Sequence, residues 1–428
     1  MPETLGGRAL LFLLLFTVVM GSAHYYVWRR AVRNTTAPGR ARRIGTAAVV
    51  GLFALMIAGL LVETPVLSWP GYIWLACVFY LAVVFGVLEI PRLALNRTTR
   101  RKVPIREVAS VGRASSSGDH AFRSSEDEAR RADFRATSPA ATEERQFNAG
   151  RRLFIARSLA VAGGVATAGI VGYGATEALS APRIKTVPVN LTKLDRRLAG
   201  YRIAVVSDIH LGPLLGRAHT ERIVRMINEL QPDLVAVVGD LVDGTVEQLG
   251  EAAAPLRDLV STHGTYFVTG NHEYYSGFEP WLAELDRLGV HPLRNERVRI
   301  ERAGASFELA GVNDVTGTNF QDGPDFARAL DGRDPASPVV LLAHQPVQAH
   351  EAAKHGVDLQ LSGHTHGGQM FPFHLAVGLQ QPVRSGLEVV DGVQVYTTNG
   401  AGFWGPPVRV GAPPDISLVE LHHNFASR

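Results

Sequence analysis

The chain has 428 residues, 43 Lys and Arg against 40 Asp and Glu, a formal net charge of +3 and a single cysteine. The small basic excess argues against a nucleic-acid surface, because the arginines crowd beside apolar runs, where membrane topology explains them. The lone Cys77 excludes an intramolecular disulfide; inside an apolar run it reads as a small packing residue.

Three apolar stretches, roughly 9 to 28, 44 to 63 and 70 to 90, each approach the ~20 residues that a helix needs to cross a hydrocarbon core. Tyr25, Tyr26, Trp28, Trp69, Tyr72 and Trp74 fall near their ends, where amphipathic rings favour the membrane interface. The loop after the first stretch carries Arg29, Arg30, Arg33, Arg40, Arg42 and Arg43, which predicts a cytoplasmic side; the next loop holds only Glu63. Residues 1–91 are therefore expected to form a membrane region with three transmembrane helices. Residues 92–152 are polar, with Arg97, Arg100, Arg101, Lys102 and Arg106 near the membrane, and read as a disordered cytoplasmic linker.

Residues 153–182 contain a fourth apolar stretch, rich in Ala and Gly, that comes after RRLFIAR at Arg151 to Arg157. The pair of arginines resembles a twin-arginine export signal, although Gly150 and Ala156 depart from its pattern. An ordinary fourth span behind positive-inside arginines fits equally, and either reading places the C-terminal domain outside the cytoplasm. Ala178 and Ser180 are small enough for cleavage after export. A helix packed on that domain without crossing would leave it in the cytosol.

Residues 183–428 change texture. YRIAVVSD, DLVAVVGD, TYFVTGNH, PVVLLAH and VDLQLSGH read as buried strands, with helices such as Arg217 to Leu230 and Val246 to Val260 between them, the alternation expected of βαβ units. Each strand ends in polar, metal-capable residues. These are Asp208 and His210, Asp240, Asn271 and His272, His344, and His364 and His366. The carboxyl ends of strands in an open α/β sheet share one rim, so side chains distant in sequence converge there. Imidazoles, carboxylates and one amide, without thiolates, suit Mn, Fe or Zn rather than Ca, Mg or a structural zinc knuckle. In an extended strand end, residues two apart point the same way, so Asp208 and His210 are expected to grip one ion together. Glycines at 239, 270, 363, 367 and 368 let the backbone turn at these points. Each piece alone is weak evidence. Five in consistent order are not.

That order, DxH at Asp208, GDxxD at Gly239 to Asp243, GNHE at Gly270 to Glu273, His344, and GHTH at Gly363 to His366, resembles the calcineurin-like metallophosphoesterase superfamily. SDIHLG, GNHEYYSG and LSGHTHGGQ look most like its bacterial membrane-associated branch. The resemblance runs from about Lys185 to Leu421. It implies a four-layer αββα sandwich and two divalent ions, one on Asp208, His210, Asp240 and His366, the other on Asp240, Asn271, His344 and His364. It further implies that His272 contacts the phosphate and protonates the leaving oxygen. A hydroxide bridging the two ions would then attack phosphorus directly, without a covalent enzyme intermediate. Asp243 and Glu273 are expected to orient ligands; Asn399 and Arg409, in a glycine-rich stretch that resembles the family's C-terminal loop beside the site, are expected to touch substrate, and a structural turn explains that pair equally well.

The function so implied is a membrane-anchored phosphomonoesterase or phosphodiesterase with its catalytic domain outside the cytoplasm, acting on phosphate esters that include lipid-linked ones. Two alternatives are a pyrophosphatase of a nucleotide-activated lipid and a non-catalytic membrane scaffold; the scaffold's expected loss of a ligand position is not seen in this sequence.

Overall fold

A computed structural model describes residues 3–62, 64–100 and 139–423. Most of the linker expected at 92–152 lies outside the described residues. The chain divides into two compact units, Met1–Ala54 with Cys77–Gly169, and Leu55–Ala76 with Ile170–Arg428.

Among the described residues the N-terminal part has four long helices: α1 (Glu3–Trp28), α2 (Arg40–Leu61), α3 (Pro65–Arg100) and α4 (Pro139–Leu179). Among the described residues, Arg40–Leu61, Pro65–Ile90 and Ala149–Leu179 are long and apolar enough to cross a membrane. The third helix starts ahead of its expected span because Pro65 can open a helix, where a missing N–H costs nothing. Helix α4 likewise begins at Pro139, inside the segment whose composition reads as linker. In the first unit, Glu89 pairs with Arg30 and accepts a hydrogen bond from the Tyr26 hydroxyl at 3.3 Å, which meets a charge placed on an apolar helix. In the second unit, a Cβ on Gly59 would lie 3.1 Å from the Gly71 Cα, a backbone approach only small residues permit.

The remainder of the second unit holds two six-stranded sheets. The first has the order β1 (Arg183–Leu191), β12 (Asp415–His423), β2 (Tyr201–Val206), β3 (Leu234–Val238), β4 (Thr265–Val268), β5 (Val290–Pro292). The second runs β10 (Gly386–Val390), β11 (Val393–Thr397), β9 (Leu359–Ser362), β8 (Val339–Leu342), β7 (Ala305–Gly311), β6 (Glu296–Arg302). Strand periodicity builds the layers. Ile203 and Val205 of β2 face the core between the sheets with Phe307, Leu309, Val340 and Leu361. Ala204 and Val206 face outward, into a layer with Ile223, Val224 and Ile227 of α5 (Arg217–Glu229) and Trp281 and Leu285 of α8 (Phe278–Arg287). Helices α6 (Val246–Ala253) and α7 (Asn271–Ser276) complete that side. On the second sheet, α9 (Phe326–Leu330) and α10 (Ala349–Lys354) cover Ala310, Val339 and Leu341. This is the four-layer αββα arrangement, and it covers both sheet faces of β2, β3 and β8, whose sequences are near-continuous apolar runs. A short helix, α11 (His374–Val377), lies in the loop before β10.

Candidate metal centre

The carboxyl ends of β2, β3, β4, β8 and β9 meet at one rim, and the eight expected residues gather there. Nε2 of His210 and Nε2 of His366 lie 3.1 Å apart, and His366 Nε2 is 3.3 Å from Asp208 Oδ1. Nε2 of His344 stands 3.1 Å from Asp240 Oδ2, and Nδ1 of His364 stands 2.9 Å from Asn271 Oδ1. Among the described residues three overlapping groups result: Asp208 with His210 and His366, Asp240 with His344 and His364, and His210 with Asp240 and His272 between them. His210 Nε2 comes within 3.9 Å of Asp240 Oδ2 and so links the first two.

Convergence comes about differently from the strand-period argument. Asp208, His210, Asp240, His364 and His366 all have positive φ, between 50° and 70°. Left-handed turns, not an extended strand end, aim Asp208 and His210 together. Such conformations cost non-glycine residues about 1–3 kcal/mol each and persist only where the surroundings impose them. The imposing contacts are visible. His210 N donates to Asp240 O at 3.2 Å, Leu211 N to Leu241 O at 2.9 Å, and Gly402 N to Asp208 O at 2.8 Å. His364 N donates to both Asp208 carboxylate oxygens, at 3.1 and 3.0 Å. Gly363 and Gly270 have no room for a side chain: a Cβ would overlap Ser207 and Asp208 at the first, and Asp240 at the second.

Hydrogen bonds set the tautomers. His344 Nδ1 donates to the Val238 carbonyl at 2.7 Å, so Nε2 is the nitrogen turned inward, toward Asp240 Oδ2. Nδ1 of His210 lies 3.0 Å from Asp243 Oδ1, and Nδ1 of His272 lies 2.7 Å from the same oxygen. Glu273 is fully buried and accepts from the backbone N–H of Gly270, Asp240 and Leu241 at 2.6, 3.0 and 2.7 Å. Asp243 thus touches two histidines of the rim, and Glu273 the backbone of the turns that carry Asp240 and Asn271.

Charge is unevenly distributed over the rim. Burial pushes the Asp208 carboxyl up, and neighbouring Asp240 adds to the rise. Burial pushes Asp240 the same way, but His344 and His272 hold it well below the usual carboxylate range. Burial would lower His344, yet Asp240 raises it well above an ordinary imidazole. His364 is pushed down to about 3 by burial and by His344, and burial with His210 depresses His366. The site therefore holds buried carboxylate charge that asks for cations, beside two neutral imidazoles, His364 and His366, that offer lone pairs. Together with a donor set of imidazole, carboxylate and amide within reach of one another, this fits divalent metal ions of the Mn, Fe or Zn type. Every expected ligand position carries a suitable side chain.

The substrate contacts expected of Asn399 and Arg409 are not what the structure places there. Arg409 is fully buried, and its guanidinium donates to the carbonyls of Gly402, His366, Ala412 and Asn399, at 2.6 to 3.2 Å, and stands 3.2 Å from His366 Nδ1. Its donors are spent on the loops around His366. Asn399 is buried too, with Oδ1 accepting from Ser385 Oγ and Nδ2 donating to Pro413 O. Both are positioning residues.

Beside the metal residues opens a cavity of ≈ 490 Å³, lined by His210, Asp243 and His272 together with Leu214, Leu215, Tyr275, Phe403, Trp404 and Tyr72. The rings of Tyr275 and Trp404 lie edge-on to His272 at 5.6 and 5.8 Å. Tyr72, on α3, reads from sequence only as a membrane-interface residue. Its place in this wall comes from tertiary packing, for which local sequence has no signal. Sequence reasoning also misses Asp314; it is buried beside His344, accepts from Gln345 Nε2 at 3.1 Å, and keeps Oδ2 without a partner.

Residues 201–368 match the family model described as calcineurin-like phosphoesterase. The chain is similar to a metallophosphoesterase of Helicobacter pylori strain J99, 43% identical over 258 residues that cover 59% of this chain and 68% of that one. It is 41% identical over 284 residues to a transmembrane protein with metallophosphoesterase domain from Bos taurus, covering 63% of each. A metallophosphoesterase of Aquifex aeolicus is 35% identical over 243 residues, 56% of this chain and 91% of that one. Animal relatives alongside bacterial ones widen the bacterial branch to which the motifs pointed.

Proposed function

We propose, on the premise that this chain belongs to the calcineurin-like metallophosphoesterase family, that it is a membrane-anchored hydrolase with two metal ions, cleaving phosphomonoesters or phosphodiesters of lipid-linked substrates. The observation that carries the reading is the meeting of Asp208, His210, Asp240, Asn271, His344, His364 and His366 at one largely buried rim.

Asp208, His210, Asp240 and His366 would hold one ion, and Asp240, Asn271, His344 and His364 the other, with Asp240 shared. When bound, such a pair supplies a water of lowered pKa and positive charge for the phosphoryl oxygens. The chain's own residues do the rest. Asp243 fixes the His272 ring through Nδ1, which leaves Nε2 to give a proton to the leaving oxygen. Burial would lower the His272 pKa, but Asp240 and then Asp243 hold it up, to about 9, so the ring enters the reaction protonated at neutral pH. Arg409 and Asn399 keep the loop behind His366 rigid.

The arginine-rich first loop supports a multi-pass membrane protein whose phosphoesterase domain, residues 183–428, stands outside the cytoplasm. We read α4 as a fourth span rather than a cleaved signal. Ala178 is buried against Leu215 and Phe403, so cleavage there would remove part of the folded domain's packing. A lipid-linked substrate is supported by the cavity, whose wall joins His210, Asp243 and His272 to apolar and aromatic side chains, Tyr72 of an apolar, span-length helix among them.

The deciding experiment is product analysis of the purified, metal-loaded full chain against lipid, nucleotide and simple phosphate esters, with metal content measured on the same sample. Phosphate release with about two ions per chain supports the reading. Full metal occupancy without turnover of any ester would leave only a scaffold.

A further inference from the structure

Between Met370 and Val383 the chain carries no Asp, Glu, Lys or Arg. Within that stretch Phe371, Phe373, Leu375 and Leu379 are 55%, 56%, 67% and 87% exposed. Isolated exposed apolar residues need no explanation, but four so close together make a patch that does. The catalytic chemistry leaves this segment unused.

Its place in the fold names the occupant. Met370 bridges to Val410 and Gly411, and Phe371 N donates to Val410 O at 3.0 Å. Arg409 N in turn donates to the carbonyl of Gly174 at 2.8 Å, and Val408 and Val410 pack where a Gly174 side chain would be. Gly174 lies in the last two turns of α4, the helix over Ala149–Leu179 that is long and apolar enough to span a membrane. The apolar segment is thus fastened to the end of a membrane-length helix. Gln369 ties the segment to the cavity rim as well: its Nε2 donates to Trp404 O at 2.9 Å, its Oε1 accepts from Trp404 N at 3.1 Å, and Trp404 is itself 55% exposed.

We infer that Phe371, Phe373, Leu375 and Leu379 seat in the lipid bilayer and hold the cavity mouth at the level of the lipid headgroups. The inference rests on the membrane-anchored reading above and deepens it: the substrate class becomes phosphate esters whose apolar part stays in the leaflet. Rings and aliphatic chains without lysine or arginine enter the interface through burial of apolar surface, not by attraction to anionic lipid. The seating is consequently insensitive to salt.

Single-cysteine full chains, in a Cys77→Ala background and reconstituted in phosphatidylcholine nanodiscs, carry an environment-sensitive fluorophore at Leu375→Cys, Leu379→Cys, Val161→Cys or Val260→Cys. Val161 lies in α4, and exposed Val260 precedes β4, at the opposite ends of the strands from the metal residues. Doxyl-labelled lipid is expected to quench positions 375 and 379 several-fold more than position 260, equally at low and high salt. Quenching at 161 with none at 375 or 379 overturns the seating while sparing the membrane span; no quenching at 161 overturns the span. Nitrophenyl phosphate turnover by the same samples reads the phosphoesterase assignment separately. Should one loop variant fail to fold, the other gives the same comparison.

Discussion

Oδ1 of Asp243 lies 2.7 Å from Nδ1 of His272, and the same oxygen lies 3.0 Å from Nδ1 of His210. One carboxylate therefore sets both the proposed proton donor and a proposed metal ligand. Replacing His272 with Gln should lower kcat by about 10²- to 10⁴-fold on an alkyl phosphate, and by less on a nitrophenyl ester, whose leaving group needs little protonation. Equal losses on both esters would contradict the proton-donor role.

Asp243→Asn tests the other half of that relationship. The protonated His272 is the active form, so activity declines as pH rises through its pKa, held up to about 9 by Asp240 and Asp243 against the effect of burial. Without the Asp243 charge that pKa falls, and the alkaline limb of the kcat profile should move to lower pH. Metal affinity should drop by roughly 10- to 100-fold, as when a ligand histidine loses its orienting carboxylate. An unmoved alkaline limb in the metal-saturated variant would show that another group titrates there.

Asp240 stands 3.1 Å from His344 of its own cluster and 3.9 Å from His210 of the other. Chelation should abolish turnover, and added Mn should restore it. Asp240→Asn should lose metal from both positions, not one, and remain inactive with Mn present. Elemental analysis of the purified variant gives the count directly, and a variant that keeps both ions and full activity would disprove the shared role.

Arg409 is expected to matter for stability before chemistry. Its guanidinium satisfies the carbonyls of Gly402, His366, Ala412 and Asn399 in a fixed fork, a geometry the lysine ammonium cannot reproduce. Arg409→Lys leaves some of those carbonyls buried and unpaired, at about 1–3 kcal/mol each. A loss of about 3 kcal/mol corresponds to a fall in apparent Tm of roughly 6–12 °C. Unchanged Tm would mean that the loop repacks.

Acid sensitivity should trace in part to His219, far from the proton donor in role. Burial, with Arg222 and Arg409 adding to it, lowers its pKa to about 4 from 6.5. The unfolded chain therefore binds the proton more tightly than the folded one. Stability is undiminished above pH 6.5 and is lost as pH falls toward 4, by up to about 3 kcal/mol. His219→Gln should flatten the dependence of Tm on pH over that window, whatever its effect at pH 7. An identical slope in both proteins would place the sensitivity elsewhere.

Much of this architecture is legible in the sequence. The runs at 201–206 and 339–342 are almost wholly apolar because both sheet faces are covered, and their polar ends mark the rim. What the period of a strand does not convey is the left-handed turn at Asp208, His210 and Asp240, since neighbours on other strands impose it. Arg409 looks like a substrate contact because a charged side chain near a glycine-rich loop is usually exposed; only folding shows it closed over by carbonyls. Tyr72 is out of reach for a similar reason, being distant in sequence from every other wall of its cavity, the nearest of which is His210.

The hydrogen bond from Arg409 N to the Gly174 carbonyl, with Ala178 packed on Leu215 and Phe403, has a practical consequence for anyone who would cut the protein into parts. A soluble fragment starting at residue 183 would leave Val408, Val410, Leu215 and Phe403 stripped of a neighbour they were shaped around. Such a fragment would tend to self-associate and to hold His366 loosely. A start upstream of Ile170 keeps these contacts, with detergent or lipid supplied for the helix that comes along, and gives up only the Leu55–Ala76 part of the unit, Tyr72 included.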